Sequence, residues 1–260
     1  MNNRKKSVKI KKFISENRKN LLTLAVALCI LLLAVKGGLH LIDRISVKEV
    51  LKDNSPYTVY GVDVSNYQGD VDWKVLKDQD ISFAFIKATE GGNFTDKRFK
   101  YNWRHSKWAH VKRGAYHFFS FDSDPVEQAE NFMRTVPKDS KMLPPVVDFE
   151  TYGKYENAPP PKEELVPKLA EYIGAIEEHY NMTPVIYCNT YCYNRYIQGS
   201  FDNPVWLANP SAPPTLPDGN NWEFLQYSFY GILDGYENGV KHIDLNVYRG
   251  TREEFLDTYF

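Results

Sequence analysis

From about residue 57 onward, short runs of apolar, β-branched and aromatic residues alternate with polar stretches at near-regular spacing. Runs at 59–64, 83–88, 113–118, 145–149, 184–188, 204–208, 223–227 and 242–247 have the length and composition of strands. Between the first five lie segments patterned for helix: 72–77, 97–111, 125–135, 161–180 and the stretch after Cys188. After the sixth run the pattern changes. Segment 209–221 is rich in Pro, Asn and Asp, and 228–239 carries several glycine and turn-forming positions, so neither predicts a helix. A chain that begins as β/α repeats and ends as bare strands predicts an α/β fold. The expected form is an irregular TIM-like barrel, five β/α units followed by three strands with little helix between them.

The first fifty-six residues follow a different pattern. Residues 1–20 hold eight Lys or Arg against Glu16, a net charge of +7; with −1 for the whole chain, this leaves −8 for residues 21–260. The apolar run 21–35 follows, interrupted only by Thr23, and 37–42 can extend it if Lys36 snorkels. A basic tail before an apolar run is the pattern of an export or anchoring signal rather than of a nucleic-acid arm. Val35-Lys36-Gly37 makes a poor cleavage site, so an uncleaved anchor is expected. The expected organisation is a cytoplasmic tail (1–20), a transmembrane signal anchor (21–42), a stalk (43–56) and a barrel domain (57–260). Positive charge stays inside, which places the barrel on the outer side of a bacterial cytoplasmic membrane.

Composition narrows the chemistry. Aromatic residues make up 15% of the chain, with 18 Tyr, more than a core needs and suited to stacking on sugar faces. Cys188 and Cys192 are the only cysteines outside the apolar run; their spacing permits either a local disulfide or two free thiols. His105 and His110 stand five apart and His117 alone, so the histidines provide no metal-ligand pair, and neither metal nor other cofactor is expected.

The chemistry-bearing residues are acids. The run 143–150 reads as a buried strand that ends in Asp148 and Glu150. Residues i and i+2 of a strand share a face, so the two carboxyls point together beyond its end. Like charges held together raise at least one pKa, giving a protonated acid beside an ionised partner, as glycosidic cleavage requires. The alternative is an Asp and a Glu that cap the next helix. Asp63 lies near the end of the first strand and Asp244 in the last. In a closed barrel those strands are neighbours, so Asp63 and Asp244 should meet across the mouth from the Asp148–Glu150 pair.

At these residues the chain resembles the glycoside hydrolase family 25 lysozymes, the Chalaropsis-type N-acetylmuramidases. The resemblance runs over about 57–251. Its carriers are Gly61-Val62-Asp63-Val64-Ser65 with Gln68-Gly69, Asp72-Trp73, Phe85-Ile86-Lys87-Ala88-Thr89-Glu90-Gly91, Gly114-Ala115-Tyr116-His117-Phe118 and Gln128-Ala129-Glu130-Asn131-Phe132. They continue with Asp148-Phe149-Glu150, Trp206-Leu207-Ala208, Gln226-Tyr227-Ser228 and Ile243-Asp244-Leu245-Asn246. The resemblance implies a peptidoglycan hydrolase that cleaves the β-1,4 bond between N-acetylmuramic acid and N-acetylglucosamine. Glu150 would be the general acid, Asp148 would orient the substrate acetamido group, and Asp63 and Asp244 would support the site. It also implies a retaining reaction in which the acetamido oxygen attacks the anomeric carbon.

Tyr116, Phe118, Tyr187, Trp206 and Tyr227 fall at or near strand ends, where they can wall a sugar site or belong to the core. Lys87 can pair with an acid, and Gln226 can bond a sugar hydroxyl or close a loop. The expected partners are glycan strands and, through the anchor, the membrane; no nucleic-acid partner and a monomeric state are expected. Two rival readings exist. A tethered barrel that binds peptidoglycan without cutting it would be expected to have lost the general acid, and a metal-dependent deacetylase or amidase would need the missing histidine pair.

Overall fold

The structure is a computed structural model that describes residues 57–209, 216, 219 and 222–260. The tail, anchor and stalk expected for residues 1–56 lie outside the described residues. Among the described residues no helix is long and apolar enough to cross a membrane.

Eight strands form the barrel: β1 (Tyr60–Val64), β2 (Ile81–Glu90), β3 (Lys112–Phe118), β4 (Val146–Asp148), β5 (Val185–Asn189), β6 (Val205–Ala208), β7 (Phe224–Gly231) and β8 (Ile243–Tyr248). Each of β1 to β6 pairs in parallel with the next in chain order. β8 runs antiparallel to both β7 and β1, and its pairing with β1 closes the sheet. The sequence pattern anticipated eight strands and closure between the first and last. The direction of β8 follows from the short connection out of β7: without a helix, the chain turns back as a hairpin and re-enters the sheet from the mouth. Asp244 therefore reaches the mouth from the start of its strand, while Asp63 and Asp148 reach it from the ends of theirs.

Among the described residues, four helices cover the barrel between strands: α1 (Trp73–Lys77), α2 (Phe99–Trp108), α3 (Pro125–Thr135) and α4 (Lys162–Tyr180). Asp72 and Asp124 start α1 and α3 by accepting two backbone N–H bonds each, and Pro125 occupies the first turn of α3, where its missing N–H costs nothing. The helix expected after Cys188 is only a helical turn, Thr190–Cys192, running into a π turn, Tyr193–Ile197. A fifth helix, α5 (Arg252–Tyr259), follows β8 and was not evident in the pattern. It opens with a reciprocal cap between Thr251 and Glu254 and inserts Phe255 beside Phe83 and Tyr248, closing the floor of the barrel.

The lumen shows why two of the motifs carry glycine. Phe83 and Phe85 of β2 point inward, and a Cβ on the neighbouring Gly61 or Gly114 would lie 2.4 Å or 2.8 Å from their rings. Glycine on β1 and β3 thus makes room for the aromatic residues of β2. Around them Trp206, Phe224 and Tyr248 complete an apolar floor.

Candidate active site

The acids lie one layer above this floor. Asp63 is in register with Asp244 across the β1–β8 seam, and both lie among Gln226, Asn246 and Tyr187. Gln226 Nε2 and Asn246 Nδ2 each donate to Asp63 Oδ2 at 2.8 Å, and Tyr187 Oη donates to Gln226 Oε1 at 2.8 Å. Trp206 Nε1 donates to Asn246 Oδ1 at 2.8 Å, so the two amides are held with their NH₂ groups toward Asp63. Burial raises Asp63 to about 6, against the pull of these donors. Burial and the charge of Asp63 raise Asp244 further, to about 8, so at neutral pH Asp244 keeps its proton and donates it in a hydrogen bond to Asp63.

Across the mouth, β4 ends at Asp148, and Phe149 turns into the core as its N–H bonds the Tyr187 carbonyl at 2.9 Å. Burial and the nearby Glu150 push Asp148 well above the usual carboxylate range. Burial and Asp63 raise Glu150 to about 7, with Lys87 acting against them. Asp148 Oδ1 is buried and has no hydrogen-bond partner among the described residues. The pair is therefore not a helix cap. Both carboxyls resist ionising near neutrality, and Asp148 presents a buried oxygen without a partner.

The aromatic residues divide. Burial first, and then nearby acids, raise the phenols of Tyr116 and Tyr187 well above normal: Asp63, Asp148, Asp96 and Asp244 act on Tyr116, and all four site acids act on Tyr187. Phe118 is partly exposed near the mouth, 5.1 Å from the Lys87 ammonium. Trp206 is 2% exposed and stacks on Phe85 with ring centres 4.4 Å apart, so it forms floor rather than wall. Tyr227 is corrected outright: Phe224 and Gln226 of β7 face the lumen, alternation turns Tyr227 to the outer side, and the group acting on its hydroxyl is Tyr60. Lys87 pairs with Glu90, Nζ to Oε2 2.7 Å, rather than with one of the four acids. Cys188 and Cys192 are buried free thiols.

Asn246 was not singled out from sequence, although the alternation that joined Asp148 to Glu150 also joins Asp244 to Asn246. A groove of about 420 Å³ adjoins the mouth, lined by Asn66, Tyr67, Lys87, Glu90, Phe94 and neighbouring residues. A larger concavity, about 610 Å³, lies by Trp222, Tyr248 and Glu254 at the floor, away from the acids. The buried, convergent carboxyls locate the chemistry better than volume does.

The family model for glycosyl hydrolases family 25 matches residues 62–236. The chain is 36% identical over 204 residues to uncharacterized protein YegX of Escherichia coli, covering 76% of this chain and 72% of that one. It is 31% identical over 216 residues to lysozyme M1 of Streptomyces globisporus, covering 76% and 70%. Its fold matches a family 25 glycosyl hydrolase from Bacillus anthracis with a TM-score of 0.75 and 42% identity, over 78% of this chain and 94% of that one. The chain belongs to family 25 of the glycosyl hydrolases and is a glycoside hydrolase of the lysozyme type.

Proposed function

We propose that this hydrolase cleaves the β-1,4 bond between N-acetylmuramic acid and N-acetylglucosamine with retention, using the substrate's own acetamido group as nucleophile. The observation that carries the reading is the contrast within one strand end: Glu150 holds its proton up to about 7, and Asp148 Oδ1 is buried without a partner. Glu150 protonates the leaving glycosidic oxygen. Asp148 accepts the acetamido N–H, which directs the carbonyl oxygen at the anomeric carbon and stabilises the positive charge that develops on the amide as the ring closes. Glu150, now a carboxylate, then takes a proton from the water that opens the cyclic intermediate. An i, i+2 pair suits this division, because two carboxyls on one strand face cannot flank a sugar ring from opposite sides.

Asp63 and Asp244 contribute charge and shape. Ionised Asp63 repels charge on Glu150 and so helps it keep its proton, and Asp244 bonds Asp63. Tyr116, Tyr187 and Gln226 line the inner wall, with Phe118 and Lys87 near its edge. In this reading the basic tail and apolar run of residues 1–42 anchor the enzyme as a monomer in the bacterial cytoplasmic membrane with the barrel outside, restricting it to the near face of the wall.

The test is to incubate the detergent-solubilised chain with purified peptidoglycan, reduce the products with borohydride and identify the reduced sugar by mass spectrometry, beside Glu150→Gln. Reduced muramic acid that vanishes in the variant is expected. Reduced glucosamine, or no new reducing ends from a folded protein, overturns the assignment.

A further inference from the structure

Lys87 and Glu90 are three apart on β2, an odd spacing that in a regular strand sends side chains to opposite faces. Between Lys87 and Thr89 the register advances two residues on β2 for one on β3, since Lys87 pairs with Tyr116 and Thr89 with His117. Ala88 is thus the extra residue of a β-bulge, and the bulge returns Glu90 to the side of Lys87. The resulting ion pair is short, 2.7 Å, with the Lys87 side chain 13% exposed and that of Glu90 45%. The ammonium also lies 5.1 Å from the centre of the Phe118 ring and 5.8 Å from that of Phe94. Phe118 is in register with Asp148, so the pair stands beside the acids, yet the hydrogen bond of Lys87 goes to Glu90, and Asp148 Oδ1 is left without a partner among the described residues.

Resting on the function proposed above, we propose that Glu90 is a positioning residue: it holds Lys87 against the Phe94 and Phe118 side of the cleft and prevents the ammonium from closing onto Asp148 and Glu150. A cation seated on those carboxyls would strip Glu150 of the proton it has to deliver and fill the acceptor that Asp148 offers to the acetamido group. The charged and titratable surroundings are consistent with this role. Lys87 is faced by Glu90 on its own strand, by His117 of β3, which burial keeps neutral down to about 4, and by Asp148 and Glu150 at the end of β4. Glu150 is faced by Asp148, by Asp63 of β1, by Asp244 of β8 and by Glu156 from the turn after β4. Lys87 is the positive group acting on both members of the pair. Its restraint therefore decides how acidic they become.

The experiment is the pH profile of kcat/KM on peptidoglycan for the full chain, Glu90→Gln, Lys87→Met and the double variant, with thermal melts alongside. The basic limb reports loss of the general acid's proton. In Glu90→Gln it should fall by about one pH unit, and in the Lys87→Met background the same change should leave it in place. An unmoved limb in Glu90→Gln overturns the inference, because loss of a merely structural bond lowers activity without shifting the limb. An equal shift in both backgrounds also overturns it, because the charge of Glu90 would then act directly. Should Glu90→Gln fail to melt cooperatively, Glu90→Asp keeps the carboxylate but shortens its reach and should move the limb in the same direction. A wild type that releases no reducing ends defeats the proposed function beneath this one, whereas an active wild type with an unmoved limb defeats only the role of Glu90.

Discussion

The floor and the mouth of the barrel are built by the same strands, and they differ by about two residues. β2 contributes Phe83 and Phe85 to the floor and Lys87 to the mouth; β7 contributes Phe224 and then Gln226; β8 enters with Asp244 and Asn246 and leaves with Tyr248. Below, aromatic rings pack with centres 4.4 to 5.8 Å apart and leave little polar surface. Above, carboxyls share buried space and are kept from ionising together. One end of the lumen stabilises the fold, and the other spends stability on a poised acid.

Substitutions at the two ends should therefore move activity and stability in opposite senses. Glu150→Gln is expected to lower kcat by about 10²–10⁴-fold or more, while the melting temperature at pH 7.5 stays level or rises. A variant that loses both equally would mean that Glu150 is a structural group. At the floor, Phe224 is fully buried between Phe83, Phe85 and Tyr248. Phe224→Ala should cost about 3–5 kcal/mol in urea unfolding, and a cost under about 1 kcal/mol would show that the floor can collapse around the gap.

The pH dependence of stability sharpens the contrast. Asp63, Glu150 and Asp244 are raised in the folded state to about 6, 7 and 8, from 3.8, 4.5 and 3.8. Their contribution is fully present below the unfolded values and is lost as pH rises through the folded ones, where the unfolded chain ionises more readily. His117, held near 4, acts in the opposite sense between about 4 and 6.5. Three carboxyls outweigh the one histidine below about pH 6.5, and above it the histidine no longer opposes them. Stability should therefore decline from about pH 4.5 to about 8 by on the order of a few kcal/mol, and the decline should shrink in Glu150→Gln. Melting curves across that window check it. A flat profile would remove the case for a strained mouth.

Much of this site was readable in the sequence because strand alternation is a local rule. The Asp148–Glu150 pair needed only period two, and the meeting of Asp63 with Asp244 needed only barrel closure. What was not readable depends on departures from that period or on distant partners. The bulge at Ala88 that joins Glu90 to Lys87 exists only in the pairing of β2 with β3. Asn246 as a donor to Asp63 depends on a strand 183 residues away in sequence. The reversal of β8 was implicit in the helix-free connection before it. The turn after Cys188 shows the limit of composition, since its aromatic run winds into a π turn rather than a regular helix.

The smallest expected effect separates a true wall residue from its neighbour. Tyr187 Oη holds the amide of Gln226 in the orientation that lets it donate to Asp63. Tyr187→Phe would leave Gln226 Oε1 buried without a donor, at a cost of about 1–3 kcal/mol, and free the amide to turn its oxygen on Asp63. Activity should fall and the pH profile should change with it. Tyr227, next to Gln226 in sequence, has a buried hydroxyl with no hydrogen-bond partner among the described residues and faces away from the lumen. Removing that oxygen breaks no bond, so Tyr227→Phe should change stability by no more than about 0.5 kcal/mol and leave kcat/KM on peptidoglycan unchanged. Equal losses of activity in the two variants would mean that the tyrosines share the cleft. That result would undo the assignment of faces on β7 on which the separation of floor, mouth and outer surface depends.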